Sequence, residues 1–230
     1  MFERLSILTT AQLADACIRL GVEVRCAPSG LRPLVPGTRF AGRVRPVRHV
    51  GSVDIFLEAI TRDCAGDALV VDNGGRLDES CVGDIVALEL KEAAFAGVLI
   101  WGLHRDTADL LRIGLPLFSL GAIPTGPLRL DPRPADAMTA ARIGPTIVTS
   151  ADFVVADEDG AIFLPLDRLD EIVLIAEKVR DRERAQADRM REGESFRAQV
   201  RFEDYLARRA VEPDFTFRAH LRSVGAAVEE

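Results

Sequence analysis

The feature that most constrains the fold is a middle section in which short apolar runs alternate with segments of helical period. Ala68-Leu69-Val70-Val71-Asp72 is apolar almost throughout and stops at Asn73-Gly74-Gly75. Runs at 96–102 and 115–120 are similar, with Gly97, Gly102, Gly114 and Gly121 as punctuation. A run that is apolar at nearly every position fits a strand covered on both faces. The segments between them, 83–95 and 106–113, read as helices. Parallel strands need such crossovers, because a tight turn cannot join them. The pattern predicts an α/β fold with a largely parallel sheet and covering helices.

The flanks are less regular. Thr9 or Thr10 can cap a helix over 11–20, with Leu13, Ala14, Cys17 and Leu20 on one face and Gly21 as its stop. Residues 28–42 read as loops and short extended pieces, 42–50 as a strand (Val44, Val47, Val50), and 53–63 as a helix burying Ile55, Phe56, Ala59 and Ile60. The prolines of 122–136 predict an irregular crossover. Runs at 152–156 and 161–164, joined by Asp157-Glu158-Asp159-Gly160, form a hairpin signal, since Gly supplies the positive φ of a tight turn. Asp167 opens a long helix to about 191, ended by Gly193. A last amphipathic segment covers 199–209, and the final fifteen or so residues read as frayed.

At 230 residues and 25.1 kDa, one domain over 1–230 is expected, with a helical extension from about 167. A formal net charge of −7 argues against nucleic acid as the main partner, because phosphate binding needs a basic face. Arginines crowd 178–209 (Arg180, Arg182, Arg184, Arg189 and Arg191 among them), but Asp and Glu are interspersed, as on a solvated helix face. Cys17, Cys26, Cys64 and Cys81 lack metal or redox spacing and read as reduced structural thiols. There is neither a basic-then-apolar leader nor an apolar run of about 18 residues. A soluble, cytoplasmic protein with no membrane partner is therefore expected.

The chemistry-bearing residues bracket one helix and strand. Gly83-Asp84 starts the helix, and Arg105-Asp106 follows the next apolar run. A helix followed by a buried strand can bring both ends to one sheet edge, gathering two carboxylates, a guanidinium and free helix-start N–H groups. Asp106 alone could be a plain N-cap. With Asp84 and Arg105 it suits a hard divalent ion, which takes one or two carboxylates and keeps several waters. The N–H groups of Gly83, Asp84, Ile85, Val86 and Ala87 could hold a substrate carboxylate. His104 is the tempting general base, although a lone His at a strand end is more often structural; His49 and His220 have less context. Gly74-Gly75 lacks a nucleotide-loop pattern, and Ser80 lies outside any nucleophile-elbow motif.

These residues carry a family likeness. Gly83-Asp84 followed by Arg105-Asp106 resembles the signature of the RraA-like family. That family contains the 4-hydroxy-4-methyl-2-oxoglutarate / 4-carboxy-4-hydroxy-2-oxoadipate aldolases and the regulator of ribonuclease E activity. The likeness extends from Ser6 through Asp15, the segment Leu31 to Gly37 with Ala41-Gly42, and the late hairpin ending at Pro165, to Glu183 and Gly193. It implies a layered domain of the swivelling β/β/α type that forms trimers or dimers of trimers. It also implies a class II pyruvate aldolase using Mg²⁺ or Mn²⁺. Asp106 would bind the metal directly, while Asp84 and an acidic residue of a neighbouring subunit, Glu183 or its competitor Asp181, would hold metal-bound waters. Arg105 would bind the pyruvyl keto oxygen and the amides from Asp84 to Ala87 the carboxylate of a 2-oxo acid, with oxaloacetate decarboxylation as a side activity. No Schiff-base lysine is then required, and Lys91 and Lys178 suit exposed helix faces. One departure stands out: many relatives carry Asp-Gly where this chain has Trp101-Gly102, which puts the usual branched dicarboxylic substrate in doubt. A non-catalytic binding protein like the ribonuclease regulator is the competing reading.

Overall fold

The computed structural model describes residues 2–225. Its main sheet has eight strands in the order Arg25–Cys26, Gly160–Pro165, Asp152–Asp157, Phe40–Arg48, Ala68–Asp72, Gly97–Trp101, Leu117–Ser119 and Arg32–Pro33. The fourth to seventh, Phe40–Arg48 to Leu117–Ser119, pair in parallel. The outer strands pair antiparallel, so the expected largely parallel sheet is parallel only in its middle. The antiparallel part arises because Asp152–Asp157 lies along Phe40–Arg48 and then turns back through Glu158 and Asp159 into Gly160–Pro165, which pairs on its other side. Gly160, paired with Asp157, has φ 127°, the positive value expected for that turn.

Alternating side chains divide the core into layers. Leu69, Val71, Val98 and Ile100 point to one face, where Phe56, Val86, Ala87 and Leu90 pack from the helices Asp54–Ala59 and Asp84–Glu92. Ala68, Val70 and Leu99 point to the other, against a second β layer that contributes Ala141, Ile143 and Val148. That layer is the hairpin Ala140–Ile143/Thr146–Thr149, which the sequence reading passed over. In the antiparallel part Val154, Ala156, Ala161 and Phe163 join this inner layer. Their alternates Phe153, Val155, Ile162 and Leu164 face the helices Thr10–Arg19 and Leu169–Arg191 through Leu13, Ile172, Val173 and Ala176. Each fully buried Val, Leu or Phe contributes roughly 1.5–3 kcal/mol.

Helix ends follow local chemistry. Thr9 caps the helix Thr10–Arg19 by accepting from Gln12 N, and the Gln12 side chain answers at Thr9 N. The helix expected over 53–63 is confined to Asp54–Ala59, because Ile60 takes an extended conformation. Beyond Val179 the long helix buries only Gln186. The residues expected to be frayed instead form a helix, Phe217–Ser223, as far as the described residues run; 226–230 lie outside them. It is held by tertiary contacts: His220 Nε2 lies 2.8 Å from Val200 O, and Tyr205 and Phe217 pack edge to face at 5.0 Å. Among the described residues no helix is long and apolar enough to cross a membrane.

Candidate active site

The short strands Ser80–Val82 and Leu103–His104 pair in parallel beside the main sheet. The ladder continues one step further, with Arg105 N donating to Val82 O at 3.0 Å. The residues after each strand, Gly83-Asp84 and Arg105-Asp106, are therefore placed side by side. This is how two dipeptides far apart in the chain reach one edge.

Asp106 is not the plain N-cap that its position allowed. It precedes the helix Thr107–Ile113, but its backbone is left-handed (φ 58°, ψ 38°) and its side chain makes no capping bond. A left-handed conformation costs a non-glycine residue on the order of 1 kcal/mol. That conformation turns the carboxylate toward Gly83 and Arg105. Asp106 Oδ2 lies 3.4 Å from Arg105 Nε, and a Cβ at Gly83 would stand 2.5 Å from the same oxygen. Gly83 is thus the space into which Asp106 and Arg105 fold. Both charged side chains keep a large exposed fraction, 37% and 49%.

The start of the helix Asp84–Glu92 adds donors, though fewer than expected. Ala87 N donates to Gly83 O at 3.1 Å, and Ile85 N to Asp84 Oδ1 at 2.8 Å. Of the amides 84–87, those of Asp84 and Val86 are left without an intrahelical acceptor. Ala87 is fully buried and belongs to the core. Beside this helix start lies a cavity of about 170 Å³ that Gly83, Asp84, Ile85, Val86 and Arg105 help to line.

Glu183 and Asp181 do not reach this edge within the chain. Gln12 Nε2 donates to Glu183 Oε2 at 3.0 Å, and Asp181 pairs with Arg180 at 2.7 Å. Among the described residues no three His, Cys, Asp or Glu side chains gather closely enough to hold a metal ion. Asp84 and Asp106 are what one chain offers. Two carboxylates, one of them released from capping, match the donor chemistry of a hard divalent ion that completes its shell with water.

Other candidates prove structural. His104 is buried, with Nδ1 2.8 Å from Ser119 Oγ and Nε2 3.2 Å from Thr107 Oγ1, and burial lowers its pKa, favouring the neutral ring. Burial pushes the Cys81 thiol far up, which disfavours its thiolate. All four cysteines are unpaired. Trp101 packs into the inner layer, and a Cβ at Gly75 would stand 2.9 Å from its ring; it does not line the cavity.

A larger cleft of about 440 Å³ lies at the ends of the strands Phe40–Arg48 and Ala68–Asp72. Its arginines already face carboxylates: Arg129 is 3.0 Å and Arg76 3.5 Å from Glu79, and Arg48 is 3.6 Å from Asp72. Asn73 Oδ1 lies 2.9 Å from His49 Nδ1 and accepts from Arg129 at 3.1 Å. Sequence reasoning missed this network, whose members carry no shared spacing.

The layered sheet first defines a class: a mixed α/β protein whose sheet edge gathers Asp84, Arg105 and Asp106. The family profile described as "RraA-like: Aldolase/RraA" matches residues 10–163. The chain belongs to the RraA-like family. It is 32% identical over 127 residues to a 4-hydroxy-4-methyl-2-oxoglutarate aldolase of Thermus thermophilus, covering 55% of this chain and 76% of that one. Among solved structures it resembles an uncharacterized protein from Pseudomonas syringae (TM-score 0.72, 27% identity, 84% and 93% coverage). It also resembles Streptomyces coelicolor RraAS2, described as an unusual member of the RNase ES inhibitor RraA family (TM-score 0.69, 26% identity, 82% and 95% coverage). The similarity to named aldolases supports an aldolase-like enzyme.

Proposed function

We propose that this protein is a divalent-metal-dependent aldolase that cleaves a 4-hydroxy-2-oxo acid to pyruvate and a second carbonyl compound. The observation that carries the reading is Asp106, held left-handed and uncapped against Gly83 and beside Arg105, which itself lines the cavity. A residue serving only the helix would cap it.

Asp106 would hold Mg²⁺ or Mn²⁺ directly, and Asp84 would hold it through water, with Glu183 or Asp181 of a neighbouring subunit in a homotrimer or hexamer. The ion would supply Lewis acidity at the 2-oxo group. The substrate carboxylate would lie at the helix start on the amides of Asp84 and Val86, aided by the helix dipole. Arg105 would face the 2-oxo oxygen. Transfer of the C4 hydroxyl proton to a water turns C4–O into a carbonyl, and the C3–C4 bond pair passes into pyruvate enolate. The negative charge gathers on the oxygen beside Arg105, where a preorganised guanidinium acts most strongly. Protonation at C3 then gives pyruvate. The same enolate would follow decarboxylation of oxaloacetate, the side activity we propose.

Arg105→Ala and Asp106→Ala should each abolish pyruvate release from 4-hydroxy-4-methyl-2-oxoglutarate while leaving the circular dichroism melt close to wild type. Near-normal turnover in either variant removes that residue from the mechanism. The similarity to Streptomyces RraAS2 keeps a non-catalytic regulator as the second reading. Saturable binding to a ribonuclease E-type enzyme, with no pyruvate released, would favour it.

A further inference from the structure

Arg105 has a long, flexible side chain that is half exposed, yet two glycine backbones wall it along its length. A Cβ at Gly83 would meet its Cγ and Nε, both at 3.2 Å, and a Cβ at Gly126 would stand 2.9 Å from its Nη1 and 3.6 Å from its Cζ. Gly126 comes from the proline-rich segment after Gly121, which is irregular but tied down. Ala122 bridges to His104, Ile123 N donates to His104 O at 3.0 Å, and Ser80 N and Oγ both donate to Thr125 O, at 2.8 and 2.9 Å. The segment therefore lies against the same two short strands that lead to Gly83 and Arg105. Pro124 and Pro127 fix their own φ, and Pro127 also restricts Gly126 before it. Three residues further on, Arg129 reaches back. Its Nε donates to Glu79 Oε1 at 3.0 Å, and its Nη2 to Asn73 Oδ1 at 3.1 Å and His49 O at 3.3 Å. Glu79 and Asn73 are buried, and Glu79 directly precedes the strand Ser80–Val82.

We infer that the segment 122–131 positions the Arg105 guanidinium, with Gly126 as the wall against Nη1 and Arg129 on Glu79 as the anchor that keeps the wall in place. The catalytic consequence rests on the aldolase reading; the assignment of Gly126 and Arg129 as positioning residues goes beyond it. A flexible side chain stabilises developing charge best when its surroundings hold it within about 0.5 Å of the working geometry. The charge on the oxygen facing Arg105 grows only as the C3–C4 bond breaks. A displaced guanidinium should therefore lower kcat more than it raises KM.

Gly126→Ala and Gly126→Val test the wall. Gly126 is not among the left-handed glycines, so neither variant adds that strain. The clash falls on the far end of Arg105, which must retreat by 3.4 − 2.9 = 0.5 Å to reach ordinary contact with the alanine methyl, and further for valine. Since a shift of about 1 Å costs on the order of 100-fold, kcat for pyruvate release should fall roughly 3-fold or more with alanine and roughly 10-fold or more with valine, at nearly constant KM. In an Arg105→Lys background there is no Nη1 to displace, and the same substitutions should cost less than about 2-fold. Unchanged kcat in both variants, or equal losses in the two backgrounds, overturns the inference. The anchor is tested without turnover, by the rate at which phenylglyoxal modifies Arg105, read by peptide mass spectrometry against the exposed Arg218. Arg129→Lys keeps the charge opposite Glu79 but loses the planar fork that also reaches Asn73 and His49. Arg105 should then react roughly 3-fold faster or more while Arg218 keeps its rate. An unchanged Arg105 rate overturns the inference whatever the turnover. A wild type that releases no pyruvate overturns the aldolase reading alone, and the labelling rate then decides the inference.

Discussion

Replacing Gly83 with alanine puts a methyl group where the site has no room for one. The backbone there is extended (φ −129°, ψ −167°), which any residue adopts, so no strain is added to the chain itself. The new Cβ would stand 2.5 Å from Asp106 Oδ2 and 3.2 Å from Arg105 Cγ and Nε, whereas real Cβ contacts essentially never fall below 3.0 Å. The difference, 3.0 − 2.5 Å, requires the carboxylate to retreat by at least 0.5 Å, with Arg105 moving too. Both side chains are exposed enough to yield, so the protein should remain folded. Alanine is a poorer N-cap than glycine by up to about 1 kcal/mol, which lowers Tm by roughly 2–4 °C in a chain of this size. Misplacing a reacting group by about 1 Å costs on the order of 100-fold. A shift of half that or more therefore predicts a loss of roughly 10- to 100-fold in kcat/KM, about 1.4–2.7 kcal/mol of transition-state stabilisation. A coupled lactate dehydrogenase assay reads the first quantity and a thermal melt the second. A Gly83→Ala variant with unchanged kcat/KM would falsify the claim that the Gly83–Asp106 approach belongs to the working geometry.

Asp106→Gly should unfold at higher urea than wild type, by about 0.5–1 kcal/mol, while losing turnover, because glycine removes the left-handed penalty. A less stable glycine variant would show that the carboxylate itself holds the loop. Burial lowers the pKa of both His49 and His104. The unfolded chain therefore takes up protons first, so the stability these neutral rings contribute is full above their ordinary value of 6.5 and is lost as the pH falls below it. Tm should drop between pH 7.5 and pH 5.5, and His49→Gln or His104→Gln should flatten that drop; parallel pH profiles in both variants would contradict the assignment.

The legible parts of the fold are those where a residue's neighbours in sequence decide its surroundings. Ala68–Asp72 is buried at every position because Leu69 and Val71 meet helices while Ala68 and Val70 meet the second β layer, and a wholly apolar run announces that. The hairpin Ala140–Ile143/Thr146–Thr149 escaped because its strands are short and Ile147 is exposed where an apolar side chain should be buried. The pairing of Phe153 with Arg43 has no local signature, so the antiparallel part of the sheet could not be read. The helix Phe217–Ser223 rests on contacts to Val200 and Tyr205, again remote in sequence. At the site, the meeting of Gly83-Asp84 with Arg105-Asp106 was legible as the two ends of one helix and strand, whereas the short strands Ser80–Val82 and Leu103–His104 that bring them together were not. The left-handed backbone at Asp106 was not legible, since it depends on what the fold places opposite it.

The most direct test is the rate of pyruvate formation from 4-hydroxy-2-oxo acids bearing either an alkyl or a carboxylate group on C4, in Mg²⁺ and again after EDTA. Pyruvate release with Mg²⁺ that EDTA abolishes and added Mg²⁺ restores is the predicted result. Absence of pyruvate from every such substrate, or release that EDTA leaves untouched, would contradict a metal-dependent aldolase built around Asp106 and Arg105.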